Sequence, residues 1–311
     1  MEKILATPKA KKYARDHHFS LEQIRGTGEY GSVCYQDVKN VRPKQRLTGV
    51  ARKMAEYYQL DLNSISFVNP VITKNDVLKY VNLADVRPLS VKRRTIANNI
   101  LQSINNSAQY TLFAEMDTTR FNSFFREQKE VFAKEKRKHL TYTDVLIAAV
   151  SKALMINKKM NASLLGDRLY VYNYVNISVA VAHEEGLMAP VIKGANLMFL
   201  EQICDARTDI VNRTQMQKLT PDDLNGGTFT ISNLGNSQVT YFTPILNYPQ
   251  SAILGVGKTE KKPVVRDDQI VIRDITYFSL TMDHLILDGK DGDNFLSTIN
   301  RILRNPEQYI F

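Results

Sequence analysis

Tryptophan is absent from this chain, and cysteine nearly so: Cys34 and Cys204 are the only two in 311 residues. They stand far apart and without the short spacing of metal ligands, so no metal site is expected from them, and a reducing, cytoplasmic setting is. Long apolar runs are missing too. The longest, DVLIAAVSKALMI (144–156), is interrupted by Ser151 and Lys152 and is too short to cross a bilayer, and the N-terminus has no apolar run of signal-peptide length. Association with a membrane is therefore not expected. What the chain does have is 43% apolar content, enough to bury a sizeable core in one large domain with something smaller beside it.

An excess of charge is confined to one end. Residues 1–106 hold 18 Lys/Arg against 9 Asp/Glu, and the remainder 23 against 23, so the whole net charge of +9 lies in the first third. A solvated basic surface is the plain reading. A basic module that docks onto acidic protein surfaces is the other. Nucleic acid is allowed by charge alone, but no zinc-finger spacing and no aromatic-interleaved RNA-binding motif supports it. The same region contains IRGTGEYGSV (24–33), with Gly26, Gly28 and Gly31 at the spacing of a dinucleotide fingerprint. That fingerprint follows an apolar strand and opens a crossover helix. Here the charged KAKKYARDHHFSLEQI precedes it and the short, polar SVCYQDVKN follows, so a nucleotide cradle is not expected.

An internal repeat explains the glycines better. AKKYARDHHFSLEQI (10–24) aligns without gaps on ARKMAEYYQLDLNSI (51–65) at an offset of 41, and QDVKN aligns on NDVLKY at an offset of 39, pairing Asp37 with Asp76 and Val38 with Val77. Each copy reads as helix, loop, short helix. The second copy replaces Gly26-Thr27-Gly28 by Phe67-Val68-Asn69, which a phosphate cradle would not tolerate; a tight connection with positive φ is expected instead. Residues 6–38 resemble the peripheral subunit-binding domain of the dihydrolipoyl acyltransferases, the core components of 2-oxo acid dehydrogenase complexes. The resemblance implies a two-helix module over residues 5–40 that binds the dihydrolipoyl dehydrogenase or 2-oxo acid decarboxylase component through Lys11, Lys12 and Arg15, with Asp37 as a buried brace of the loop. Lys11 stands where arginine is common, and Ser32 where an arginine usually follows the last glycine. Residues 47–81 read as a second, divergent subunit-binding-like module, a more distant relative for which a spacer and a different binding surface are both open readings. Short linkers, 40–46 and 82–88, flank it.

From residue 88 to 311 helices and strands alternate, which predicts an α/β domain with a mixed sheet. Ile96, Ile100 and Ile104 recur at helical spacing, as do Phe121, Phe124, Phe125 and Phe132, and residues 143–154 read as a helix buried on most sides. Residues 109–117, 176–184, 227–235, 269–273 and 274–282 read as strands, with a hairpin through Asp267-Asp268. His284 follows the last of these, Asp288-Gly289 turns the chain, and a helix begins near Asp291. A packed histidine near a turn aspartate is the plain alternative, but side chains at strand ends are where function concentrates. An imidazole of ordinary pKa, about 6.5, suits deprotonation of a thiol near 8.5.

RPLSVKRRTIANNIL (87–101), EEGLMAPVIK (184–193), LNGGTFTISNLG (224–235), FTPILNYPQSAILGVG (242–257) and DHLILDG (283–289) stand in the order and spacing of the dihydrolipoyl acyltransferase catalytic domain, which has the chloramphenicol acetyltransferase fold. The resemblance implies that His284 takes the proton of the coenzyme A thiol, that Ser232 hydrogen-bonds the oxyanion, and that Asp288 braces the histidine loop through an arginine, Arg93 or Arg94. It implies coenzyme A as substrate, no covalently bound cofactor, and a homotrimer or larger trimer-built shell joined by the C-terminal Tyr309, Ile310 and Phe311. His284 and Ser232 of the family meet across the trimer interface. Leu285 replaces an arginine of the motif and Ala182 an aspartate; His183 is read as incidental. No segment resembles a lipoyl domain, so the lipoyl group is expected on a separate protein. A non-catalytic scaffold of the same family and a small-molecule acetyltransferase are the competing readings.

Overall fold

The computed structural model describes residues 4–16, 20–40, 46–62, 71–81, 88–183 and 186–310. The chain divides into two compact units, Met1–Pro88 and Leu89–Phe311.

In the first unit, helix α1 (Pro8–Asp16) and the one-turn helix α2 (Tyr35–Lys39) enclose a core of Ala10, Ala14, Val33 and Val38, closed by a parallel bridge between Ala6 and Val33. The glycine loop folds on itself: the Gly28 N–H donates to Ser32 O at 2.9 Å. Positive φ falls at Tyr30 (+56°) and Gly31 (+71°); at Gly26 the glycine serves close approach, since a Cβ there would lie 2.3 Å from Gly31 O. Asp37 braces the loop by accepting from the Thr27 hydroxyl (2.6 Å), Thr27 N (3.0 Å) and Cys34 N (2.8 Å). It does so half-exposed, not buried. The Thr27 hydroxyl, then the two amides, hold its carboxyl below the ordinary range. A depressed pKa contributes stability above the unfolded value, about 3.9, and loses it as pH falls further. The Asp37→Ala variant is therefore expected to melt lower than the parent at pH 7, with the difference shrinking as the pH is taken below about 3.9, as followed by circular dichroism.

Residues 46–81 repeat this plan. Strand β1 (Arg46–Leu47) pairs in parallel with β2 (Val71–Ile72), and α3 (Gly49–Tyr57) and α4 (Lys74–Leu78) enclose Ala51, Ala55, Ile72, Val77 and Val81. The loop replacement Phe67-Val68-Asn69 and most of both linkers lie outside the described residues.

The second unit is an α/β domain. In chain order it comprises α5 (Val91–Asn106), β3 (Gln109–Asp117), α6 (Thr119–Lys134), α7 (Tyr142–Ile156), β4 (Ala162–Leu165), β5 (Arg168–Val171), β6 (Ile177–Val179), β7 (Val181–His183), β8 (Gly186–Met188), β9 (Val191–Ile192), α8 (Leu200–Gln215), α9 (Pro221–Leu224), β10 (Phe229–Asn233), β11 (Ala252–Arg266), β12 (Gln269–Asp283) and α10 (Gly289–Arg304). Six strands form a mixed sheet in the order β3-β12-β11-β10-β6-β9, with β10 parallel to both neighbours. Alternation along each strand sorts its two faces. Phe229, Ile231, Leu254, Phe278, Leu280 and Met282 join the core with α7 and α10. Ser178, Thr230, Ser232, Ser279 and Thr281 take the opposite parity, and all are buried. Residues 234–250 cross that polar side: Phe242 packs on Gly255 and the Thr240 carbonyl on Gly257, where any side chain would collide.

Several expectations change here. The two strands read at 269–273 and 274–282 are one, and the arm that enters the hairpin is the 15-residue strand β11, whose outer part, KTEKKPVVR, is too polar to show a strand pattern over its full length. Asp267 and Asp268 (φ 48° and 59°) make the hairpin turn as expected. The α5 stripe is not a core face: Ile100, Leu101 and Ile104 are 40%, 56% and 50% exposed. Ile310 is buried and Tyr309 packs against this unit's own core, so these two side chains are engaged within the chain, while Phe311 lies outside the described residues.

Candidate active site

His284 follows the end of β12 and is held by its backbone. Its N–H donates to Ala108 O at 2.8 Å. Asp283, 5% exposed, accepts from Ala108 N (3.0 Å) and Leu285 N (3.1 Å), clamping both sides of the loop. The exposed imidazole rests against the Tyr110 ring at 4.4 Å between centroids, tilted by 32°. Burial first, then the charges of Asp288 and Asp291, raise the Tyr110 phenol above its ordinary range, so it stays neutral. Asp288 caps α10, its Oδ1 accepting from Lys290 N (3.0 Å) and Asp291 N (3.1 Å). Among the described residues no arginine pairs with it: Arg94 donates to Leu89 O, and Arg93 lies over Gly186. Asp288 thus fixes the loop through the helix start that it caps.

Ser232 occupies β10, almost fully buried. The next residue, Asn233, accepts from Gly235 N (2.8 Å) and donates to Thr143 (3.1 Å), fixing the turn beyond it. A cavity of about 410 Å³ abuts β3 and α10. A second, of about 520 Å³, lies at the C-terminal end of β10, lined by Asn233, Asn236 and Gly257 together with Arg126, Lys129 and His139.

Register separates the two predicted groups. Ser232 pairs with Gly255 and Gly255 with Ser279, whereas His284 lies five residues past Ser279, beyond the opposite end of β10. Five residues along and two strands across amount to about 20 Å. Within one protomer His284 and Ser232 do not meet.

Residues 82–311 match the model of the 2-oxoacid dehydrogenases acyltransferase (catalytic domain) family. The chain belongs to this family. Residues 4–39 match the e3 binding domain model. The dihydrolipoyllysine-residue acetyltransferase component of the pyruvate dehydrogenase complex of Rickettsia typhi is 31% identical over 98% of this chain and 68% of that protein. The succinyltransferase component of the 2-oxoglutarate dehydrogenase complex of the same organism is 33% identical over 98% and 71%. Among solved structures, the cubic core of a pyruvate dehydrogenase multienzyme complex aligns with TM-score 0.71 and 31% identity, over 79% of this chain and all of that one. A probable dihydrolipoamide acetyltransferase from Listeria monocytogenes aligns with TM-score 0.69 and 32% identity, over 71% and 95%.

The chain is thus an acyltransferase of the 2-oxo acid dehydrogenase type. On its subunit-binding portion, Lys11, Lys12 and Arg15 are exposed along α1. In the acyltransferase unit, Leu285 is 61% exposed and Ala182 is exposed on β7, so neither departure disturbs packing within the protomer. Sequence reasoning missed Asp283, Tyr110 and the basic cavity rim. Asp283 was visible beside the histidine, but its role as a clamp depends on Ala108, 175 residues away.

Proposed function

We propose that this acyltransferase moves an acyl group between the dihydrolipoyl thioester of a lipoyl domain and coenzyme A, in a homotrimer whose site is built from two subunits. The observation that carries it is the separation of His284 from Ser232. Each sits at a different end of one sheet, with its own supports in place, so a complete site needs His284 of one copy beside Ser232 of another. The exposed Ile100, Leu101 and Ile104 on α5 supply apolar surface of the kind that subunits cover.

His284 accepts the proton of the coenzyme A thiol, and the thiolate adds to the thioester carbonyl. The Ser232 hydroxyl donates to the resulting oxyanion. Collapse breaks the bond to the dihydrolipoyl sulfur, which leaves as thiolate and recovers the proton from the imidazolium. The reverse direction retraces these steps. Arg126, Lys129 and His139 give the larger cavity beside Asn233 a basic rim suited to the phosphates of coenzyme A. Arg126→Ala/Lys129→Ala is accordingly expected to raise KM for coenzyme A about tenfold with little change in kcat, the pattern of lost uniform binding. Initial-rate kinetics at varied coenzyme A check this.

The basic face of α1, with Lys11, Lys12 and Arg15, docks the dihydrolipoyl dehydrogenase component through its acidic surface, and this binding weakens as salt rises. The deciding experiment measures coenzyme A-dependent transfer by the chain alone, with free dihydrolipoamide, and with added lipoyl domain. Turnover that requires a lipoyl species and saturates with it supports the proposal. Activity confined to small amines or alcohols overturns it.

A further inference from the structure

Residues 46–81 lie between the two stretches that match family models, and their described residues reproduce the frame of the first module. With the offsets of 41 and 39, buried Ala10, Ala14, Val33 and Val38 map onto Ala51, Ala55, Ile72 and Val77, each at most 4% exposed. The bridge Ala6–Val33 maps onto the pair Leu47–Ile72. Thr7, which accepts from Ala10 N at 3.3 Å, maps onto Thr48, which accepts from Ala51 N at 3.2 Å. Asp37, bound to Cys34 N at 2.8 Å, maps onto Asp76, bound to Thr73 N at 2.9 Å. Both modules keep a folded frame, a capped first helix and a braced second one. A spacer needs none of these.

The surface is also retained. Lys11 and Lys12 map onto Arg52 and Lys53, all four exposed. Residues 4–40 hold six Lys/Arg against four Asp/Glu and residues 46–81 five against three, so both carry the same basic excess of two. We propose that residues 46–81 are a second docking module, which takes the same occupant as the first: an acidic face of the dihydrolipoyl dehydrogenase component. This rests on the docking role given above to residues 4–40. Arginine at 52 strengthens a carboxylate contact, being a planar fork where lysine is a point charge. Glu56 at the place of Arg15 repels an acidic face, and it makes the second module the weaker of the two.

Titration calorimetry of the full chain with purified dihydrolipoyl dehydrogenase, at low and high salt, tests this. The parent chain is expected to show a stronger and a weaker binding event, both salt-sensitive. Lys11→Glu/Lys12→Glu should remove the stronger event and leave the weaker one, and Arg52→Glu/Lys53→Glu should weaken the second about tenfold or more while sparing the first. Arg52→Ala/Lys53→Ala is a milder variant that should act in the same direction, with circular dichroism reporting that the helices persist. A single event abolished by Lys11→Glu/Lys12→Glu and unmoved by Arg52→Glu/Lys53→Glu overturns the second site and leaves the first module's role standing. No event in the parent chain overturns both. A second event seen only with the decarboxylase component overturns the assigned occupant.

Discussion

Replacing His284 with alanine is expected to lower acyl transfer by two or more orders of magnitude, the usual worth of a positioned general base, with the oligomer intact because the imidazole is exposed. Ser232→Ala is expected to cost about 10²- to 10³-fold through loss of one oxyanion donor. The distance between them adds a sharper test. If the site joins two subunits, each variant retains the half that the other lacks. Unfolding and reassembling an equal mixture of the two inactive variants should pair an intact His284 with an intact Ser232 at about a quarter of interfaces, as random placement around a closed ring requires. Recovery of about that share of the parent activity is the expected result. A mixture as inactive as its components would overturn the shared site, and full activity in His284→Ala would overturn the catalytic role itself.

The second large effect concerns stability. Asp144 is fully buried at the start of α7, where it accepts from Thr141 N (2.7 Å) and the Thr141 hydroxyl (2.8 Å). Arg207 of α8 holds it in a fork, Nε to Oδ1 at 2.7 Å and Nη2 to Oδ2 at 3.2 Å, and also donates to His139 O. Burial pulls the Arg207 pKa down, but the carboxylate outweighs it and holds the guanidinium charged. Arg207→Ala leaves a buried carboxylate without its counter-charge, which costs about 3–5 kcal/mol. For a unit of this size the melting midpoint should fall by about 10 °C. Arg207→Lys recovers only part of this, because an ammonium cannot make the paired contact. Calorimetric melting of these two and of Asp144→Ala/Arg207→Ala checks the origin of the loss. The double variant should be less destabilised than Arg207→Ala, and a loss as large would show that the stranded charge is not the cause.

Local order was legible wherever a short-range physical pattern specifies it. Helices α6, α7 and α10 follow from apolar spacing, the hairpin turn from Asp267-Asp268, and the two small modules from a repeat whose matched positions turn out to be the buried ones. The chemistry was legible as far as motifs reach: His284, Ser232 and Asp288 stand in long segments whose order and spacing carry the family. Other features depend on partners distant in the chain. Strand β11 reads as polar because its outer half pairs only with β12 beyond the body of the sheet. Asp283 becomes a clamp through Ala108, and the basic cavity rim draws Arg126, Lys129 and His139 to Asn233.

Composition, periodicity and motif therefore establish which elements form, which family the chain belongs to and which side chains are suited to the reaction, because each of these depends on neighbours within a few positions or on a pattern carried whole along the chain. How far apart those side chains lie is another matter. Sheet order and register set that distance, and they arise from pairing among residues 109–117, 229–233, 252–266 and 269–283. That pairing places Ser232 and His284 at opposite ends of one sheet, while the apolar stripe on α5 lies exposed where spacing alone would have buried it. Folding the chain on itself decides both outcomes, since a hydrophobic pattern records that a face must be covered and not by which molecule.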